Sequence, residues 1–124
     1  MPARVLPATQ MTEAELSDCV VELAHLFGWR VAHFRPAMTK HGWRTPVAAD
    51  GAGFPDLIMA RDRLVAVELK AERGRTSPDQ QDWLAALSNA GVECHVWRPE
   101  QWLSGEIEAI LRKTATPKPM REER

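Results

Sequence analysis

The sequence predicts an α/β domain in which helices flank a mixed four-stranded sheet, in the order α-β-β-β-α-β with a short C-terminal helix. Three observations carry that expectation. Residues 57–60 and 64–67 are short apolar runs separated by the polar Arg61-Asp62-Arg63, the pattern of a β-hairpin. Thr12-Glu13-Ala14-Glu15 and Ser77-Pro78-Asp79-Gln80 each place Glu or Gln three residues after a Thr or Ser, which starts a helix by reciprocal capping. Residues 92–97 then follow the second helix, so the last strand returns by a crossover and runs parallel to 64–70.

Along the chain, residues 1–11 are expected to be a flexible arm and 12–113 a single domain. Leu16, Val20, Leu23 and Phe27 recur at helical spacing after Thr12, and Gly28 is a natural stop. Residues 29–34 alternate as a first strand. Residues 36–53 contain Pro36, Pro46 and several glycines and are expected to form a long loop. Lys40, His41, Trp43 and Arg44 in it suit phosphate contact and base stacking, although Trp43 serves equally well as a lid over the core edge. After a polar turn over 71–76, Trp83, Leu84 and Leu87 give the second helix a buried stripe that Gly91 ends. A helical turn at 99–103 and a helix at 106–113 complete the domain. The segment 114–124 has two prolines, many charges and little that is apolar, and is expected to be disordered.

Composition bounds the function. A chain of 124 residues supports one core, and 44% hydrophobic with 27% charged residues is an ordinary globular composition. No apolar run reaches the roughly 20 residues that span a bilayer, and the first residues lack a signal peptide's apolar stretch, so a cytoplasmic location is expected. Cys19 and Cys94 fall in separate elements and are expected to be buried free thiols of a reducing compartment. The four histidines, His25, His33, His41 and His95, form no zinc-binding pattern. The net charge of −1 argues against nonspecific coating of nucleic acid, but its distribution is uneven. Between Arg30 and Ala49 there is no acid, while Arg30, Arg35, Lys40 and Arg44 are basic, and Lys70, Arg73 and Arg75 form a second cluster. Basic loops around an acidic centre attract a phosphate backbone; chance patchiness of surface charge is the plainer account.

The acidic centre comes from the hairpin. If Ala60 faces Leu64, Asp56 lies opposite Glu68, and Lys70, two residues on, shares the face of Glu68. Two opposed acids repel, and a divalent ion that neutralises them, beside a lysine for an anionic phosphate, accounts for the trio. A surface charge pair guarding an edge strand is the simpler alternative. A two-residue turn at Asp62-Arg63 would instead set Asp56 opposite Leu69 and turn it to the other face.

Pro55-Asp56, Glu68-Leu69-Lys70 and Ser77-Pro78-Asp79-Gln80 followed by Trp83 together resemble the VRR-NUC group of the PD-(D/E)XK nucleases, over roughly 12–97. The resemblance implies a restriction-endonuclease-like core and a Mg²⁺- or Mn²⁺-dependent endodeoxyribonuclease of repair or recombination. It implies Asp56, Glu68 and the Leu69 carbonyl as metal ligands, Lys70 at the attacking water and Gln80 near Lys70, with Gln81 as an alternative amide. It also implies an acid from the first helix. Glu15 is the best positional match, as a further ligand or only as the helix cap. Arg35, Lys40, Arg44, Arg73 and Arg75 are the expected DNA contacts. Short members of the group resemble homodimeric enzymes that cut branched DNA such as Holliday junctions. A non-cleaving DNA-binding module and a nuclease subunit that takes its specificity from a partner are the alternatives. Nothing in the sequence identifies the dimer interface; the exposed-looking region of Trp97 and Trp102 and the first helix are candidates.

Overall fold

The computed structural model describes residues 10–34, 37–40, 42–44 and 47–115. In chain order the elements are α1 (Glu13–Leu26), β1 (Arg30–His33), β2 (Ala37–Thr39), β3 (Gly42–Arg44), β4 (Leu57–Ala60), β5 (Leu64–Leu69), α2 (Pro78–Asn89), β6 (Glu93–Trp97), α3 (Pro99–Leu103) and α4 (Glu106–Arg112). The main sheet has the strand order β1-β4-β5-β6, with β1 and β4 antiparallel, β4 and β5 antiparallel, and β5 and β6 parallel. This is the α/β, mixed four-stranded architecture expected of a restriction-endonuclease-like core.

Alternation along the strands assigns the two faces. Leu57, Met59, Val65, Val67, Leu69 and Trp97 form the core with Leu16, Val20 and Ala24 of α1 and Ile107 and Leu111 of α4. The opposite face carries Ala66, Glu68 and Cys94, and α2 packs over β5 and β6 there. Both capping boxes are present: Thr12 Oγ1 accepts from the Glu15 amide at 3.1 Å, and Ser77 Oγ accepts from the Gln80 amide at 3.2 Å. In each, the Glu or Gln side chain accepts from the cap residue's own amide.

Four expectations are corrected. The segment 36–53 is not all loop, because β2 and β3 pair within it as a small separate hairpin, Ala37 with Arg44 and Thr39 with Gly42. Gly42, the first residue of β3, has a left-handed φ of 97°, and strands of three residues are too short to show a period. Trp83, Leu84 and Leu87 are half-buried, and α2 has no fully buried residue, since it covers one half of a thin sheet face. Cys19 and Cys94 are free thiols but half-buried, and partial burial raises both thiol pKa values. Trp97 is 1% exposed, at the end of a strand in the sheet core, and so is no docking surface. The expected arm and tail lie largely outside the described residues.

The hairpin tip is not a solvated turn. Arg61 and Arg63 lie over the Trp29 ring at 4.6 and 4.8 Å from its centroid. Arg61 donates to Phe27 O and Leu111 O, both at 3.0 Å, and to Lys113 O at 2.8 Å, and Arg63 donates to Ile110 O and Lys113 O. Trp29 Nε1 donates to Leu111 O at 3.0 Å. The orphan carbonyls at the C-terminal end of α4 are thereby satisfied by cations, which also suit that end of the helix dipole.

Candidate active site

The observed register, Leu57 with Val67 and Ala60 with Leu64, is the one that sends Asp56 towards Glu68 just beyond the last pair. Asp56 Oδ2 accepts from the Leu69 amide at 2.8 Å, and its carbonyl accepts from the Phe34 amide at 2.8 Å. Bonds on both sides fix the residue between β1 and β5. Glu68 is 2% exposed, and its Oε1 accepts from Gln80 Nε2 at 2.9 Å and lies 3.8 Å from Lys70 Nζ. Gln80 is held by its own cap, since its Oε1 accepts from the Ser77 amide at 2.8 Å and only the amide nitrogen remains for Glu68. Gln81 is engaged elsewhere, with Thr76 at 3.0 Å. The structure thus brings Asp56, Glu68, Lys70 and Gln80 together at one end of β5.

Burial pushes the Glu68 carboxyl up to about 9, reinforced by the charge of Asp56, which can accept a hydrogen bond from Glu68 only when Glu68 is protonated, and by Glu13, while Lys70 pulls the other way. Glu68 Oε2 is buried with no hydrogen-bond partner. Two ionised carboxylates are acceptors only, so a proton or a cation between the acids is what satisfies that oxygen. Among the described residues no three His, Cys, Asp or Glu side chains form a metal-ligating group. Two carboxylates and hydration water suffice for Mg²⁺, which seldom occupies an all-protein cage, and the orphaned hard oxygen fits such an ion.

Glu15 is occupied by its capping box, its Oε1 bonding Thr12 Oγ1 at 3.0 Å. The acid of α1 whose charge is felt at Glu68 is Glu13, whose Oε1 accepts from the Ala71 amide at 3.4 Å. The signal was present in the spacing: Glu13 extends the inward stripe of Ser17, Val20 and Ala24 by one turn. Lys40 is exposed at the β2–β3 turn, and Arg73 and Arg75 are exposed in the segment between β5 and α2. Arg35 and the side chain of Arg44 lie outside the described residues.

Gly53 seats the loop that carries Asp56. At φ 83° it adopts a left-handed conformation, and a Cβ built there would meet the Asp79 carbonyl carbon at 2.5 Å and the Gln80 nitrogen at 2.6 Å. Phe54 continues the seat with edge-on contacts to Phe34 and Trp83, and Trp83 Nε1 donates to Asp50 O at 2.8 Å. Gly53→Ala is therefore expected to strain the backbone by about 1–2 kcal/mol and to push the loop from α2. If Asp56 and Gln80 act together at this site, separating them by about 1 Å is expected to lower its activity on the order of a hundredfold. Wild-type single-turnover activity in the folded variant would show that this seat does not position Asp56.

A mixed sheet whose central strands bring two carboxylates and a lysine to one end, where α2 adds a glutamine, defines a restriction-endonuclease-like core. A family model for the VRR-NUC domain matches residues 34–100, more than half of the chain, and the chain belongs to that family of nuclease domains. The matched region contains Asp56, Glu68, Lys70 and Gln80 and begins after α1, so Glu13 and Glu15 fall outside it. None of the curated proteins matches the chain. Among the described residues no helix is long and apolar enough to cross a membrane.

Proposed function

We propose that this nuclease domain is a Mg²⁺- or Mn²⁺-dependent endodeoxyribonuclease that hydrolyses phosphodiester bonds in branched DNA. The observation that carries the metal dependence is the buried, unpartnered Glu68 Oε2 beside the Asp56 carboxyl. Asp56, Glu68 and the Leu69 carbonyl would hold the ion, and Glu13, rather than the cap-bound Glu15, would add negative charge from α1 without being a third carboxylate ligand. A bound divalent ion supplies Lewis-acid polarisation of water and neutralises charge developing on the phosphoryl oxygens. Asp56 is oriented for this by the Leu69 amide and Glu68 by the Gln80 amide. Lys70, beside Glu68, orients the attacking water or stabilises the phosphorane-like charge from the other side. Lys40, Arg73 and Arg75 supply exposed cations for the backbone.

Residues 12–113 serve as the nuclease unit, since α1 near its start and α4 near its end share one core. Paired cutting of a four-way junction calls for two such units at fixed separation, which a homodimer provides. Free thiols suit the cytoplasm of the host cell.

Cleavage of labelled four-way junction, flap and linear duplex with Mg²⁺, with Mn²⁺ and with chelator tests the proposal. Metal-dependent paired nicks in the junction are expected, with Lys70→Ala about a hundredfold slower. Equal cutting of the linear duplex removes the branch preference. Binding without cutting under every metal leaves a recognition module, or a nuclease that awaits its partner.

A further inference from the structure

The segment 71–76 carries two exposed arginines, Arg73 and Arg75, directly after Lys70 and directly before the α2 cap. Exposed arginines on a six-residue connection lose much conformational entropy when they bind a phosphate, unless the backbone beneath them is already fixed. Here it is fixed from outside. Arg98, half-buried just past the end of β6, donates from Nη2 to Gly74 O at 3.0 Å, the carbonyl between the two arginines. Glu72 Oε2 accepts from the Glu100 amide at 3.0 Å, in the first turn of α3. The turn is closed by Gly74 N on Ala71 O at 2.9 Å, and its far end by Gln81 on Thr76.

These anchors have a geometric basis in the sheet. β6 runs parallel to β5, so both strands finish at the same end, and Lys70 N bonds Trp97 O at 3.0 Å. Arg98 therefore emerges beside the segment that follows Lys70. The Arg98 amide is itself tied to Gln101 Oε1 at 2.6 Å, which fixes the turn from β6 into α3. A small helix with no catalytic group of its own becomes the post to which the basic segment is moored.

We infer that Arg98 and Glu72 are positioning residues for DNA: they hold the backbone of 71–76 so that Arg73 and Arg75 meet a phosphodiester backbone next to Lys70. The inference rests on the nuclease reading above. Neither anchor touches the reacting atoms. Losing either raises the apparent KM for DNA and leaves the saturated rate nearly intact.

The test is a double-mutant cycle on the full chain, with cleavage kinetics under Mn²⁺ and fluorescence-anisotropy binding of the same labelled DNA under Ca²⁺. Arg73→Ala/Arg75→Ala is expected to weaken binding about tenfold and to reduce the salt slope by about two, one for each lost phosphate contact. Arg98→Ala and Glu72→Ala are each expected to raise KM about three- to tenfold with kcat within twofold, and Arg98→Lys to recover part of the loss. In the Arg73→Ala/Arg75→Ala background, Arg98→Ala should add nothing further, because the groups it positions are gone. Full additivity there overturns the inference, since it means Arg98 contacts DNA itself or acts through stability. So does an Arg73→Ala/Arg75→Ala variant that binds as the wild type does. A wild-type chain that neither binds nor cuts DNA is a different result, which removes the nuclease reading and this inference with it.

Discussion

Glu68→Gln is expected to lower cleavage by at least about a thousandfold while making the metal-free chain more stable above neutral pH. The two effects share one cause. Burial and the neighbouring Asp56 raise the Glu68 pKa from 4.5 to about 9, so the folded chain retains a proton that the unfolded chain gives up. A folded-state pKa above the unfolded value contributes stability that is complete below 4.5 and is lost as pH rises through about 9. Without metal, the native chain should therefore weaken steadily across that window. Glutamine cannot ionise and keeps the shape, so its stability should stay flat there. At the alkaline end the variant should exceed the wild type by about 1–3 kcal/mol, the cost of a buried polar group without a partner. Circular-dichroism melts in chelator at about pH 5, 7 and 9 measure both slopes. Added Mg²⁺ should restore the wild type most at high pH, where no proton competes for the site, and leave Glu68→Gln unmoved. Equal destabilisation of the variant at every pH would mean that Glu68 is an ordinary structural hydrogen-bonding group.

A site that opposes stability explains why the sequence discloses it. Asp56, Glu68 and Lys70 stand out because the apolar strands around them leave little structural reason for charge, and the short loop fixes their register. The capped helices and the parallel return of β6 were equally legible, since each rests on short-range signals. What the sequence leaves open has a different physics. Glu13 and Glu15 lie two residues apart on α1; Glu15 bonds within its own capping box, while Glu13 bonds the Ala71 amide, a partner distant in sequence. Trp97 looked available as a surface because alternation does not reveal that its face is covered by α1 and α4. Arg98 and Glu72 had no visible role, because their partners are backbone groups distant in sequence. Backbone partners leave no trace in side-chain spacing.

Trp29→Ala should be the most destabilising single change at the opposite end of the hairpin, costing about 3–5 kcal/mol. Trp29 is 3% exposed, and its removal opens a core cavity, takes away the ring against which two guanidinium groups lie and leaves Leu111 O without the indole donor. The carbonyls at the end of α4 then depend on Arg61 and Arg63 alone, whose side chains have lost the surface that positions them. Trp29→Phe keeps most of the ring and removes the N–H, so about 1–2 kcal/mol is expected from that bond and the smaller ring. Urea denaturation of the three chains in chelator measures the series, with an unchanged slope indicating the same unfolding transition. Asp56 and Arg61 lie five residues apart along the chain, about 17 Å at strand rise, which separates the stabilising tip from the proposed site. Trp29→Phe should accordingly cleave at the wild-type saturated rate at a temperature where it is folded. A loss of turnover in a folded Trp29→Phe chain would show that the two ends of the hairpin are coupled. A Trp29→Ala chain within about 1 kcal/mol of wild type would show that the arginines, and not the indole, hold α4 to the sheet.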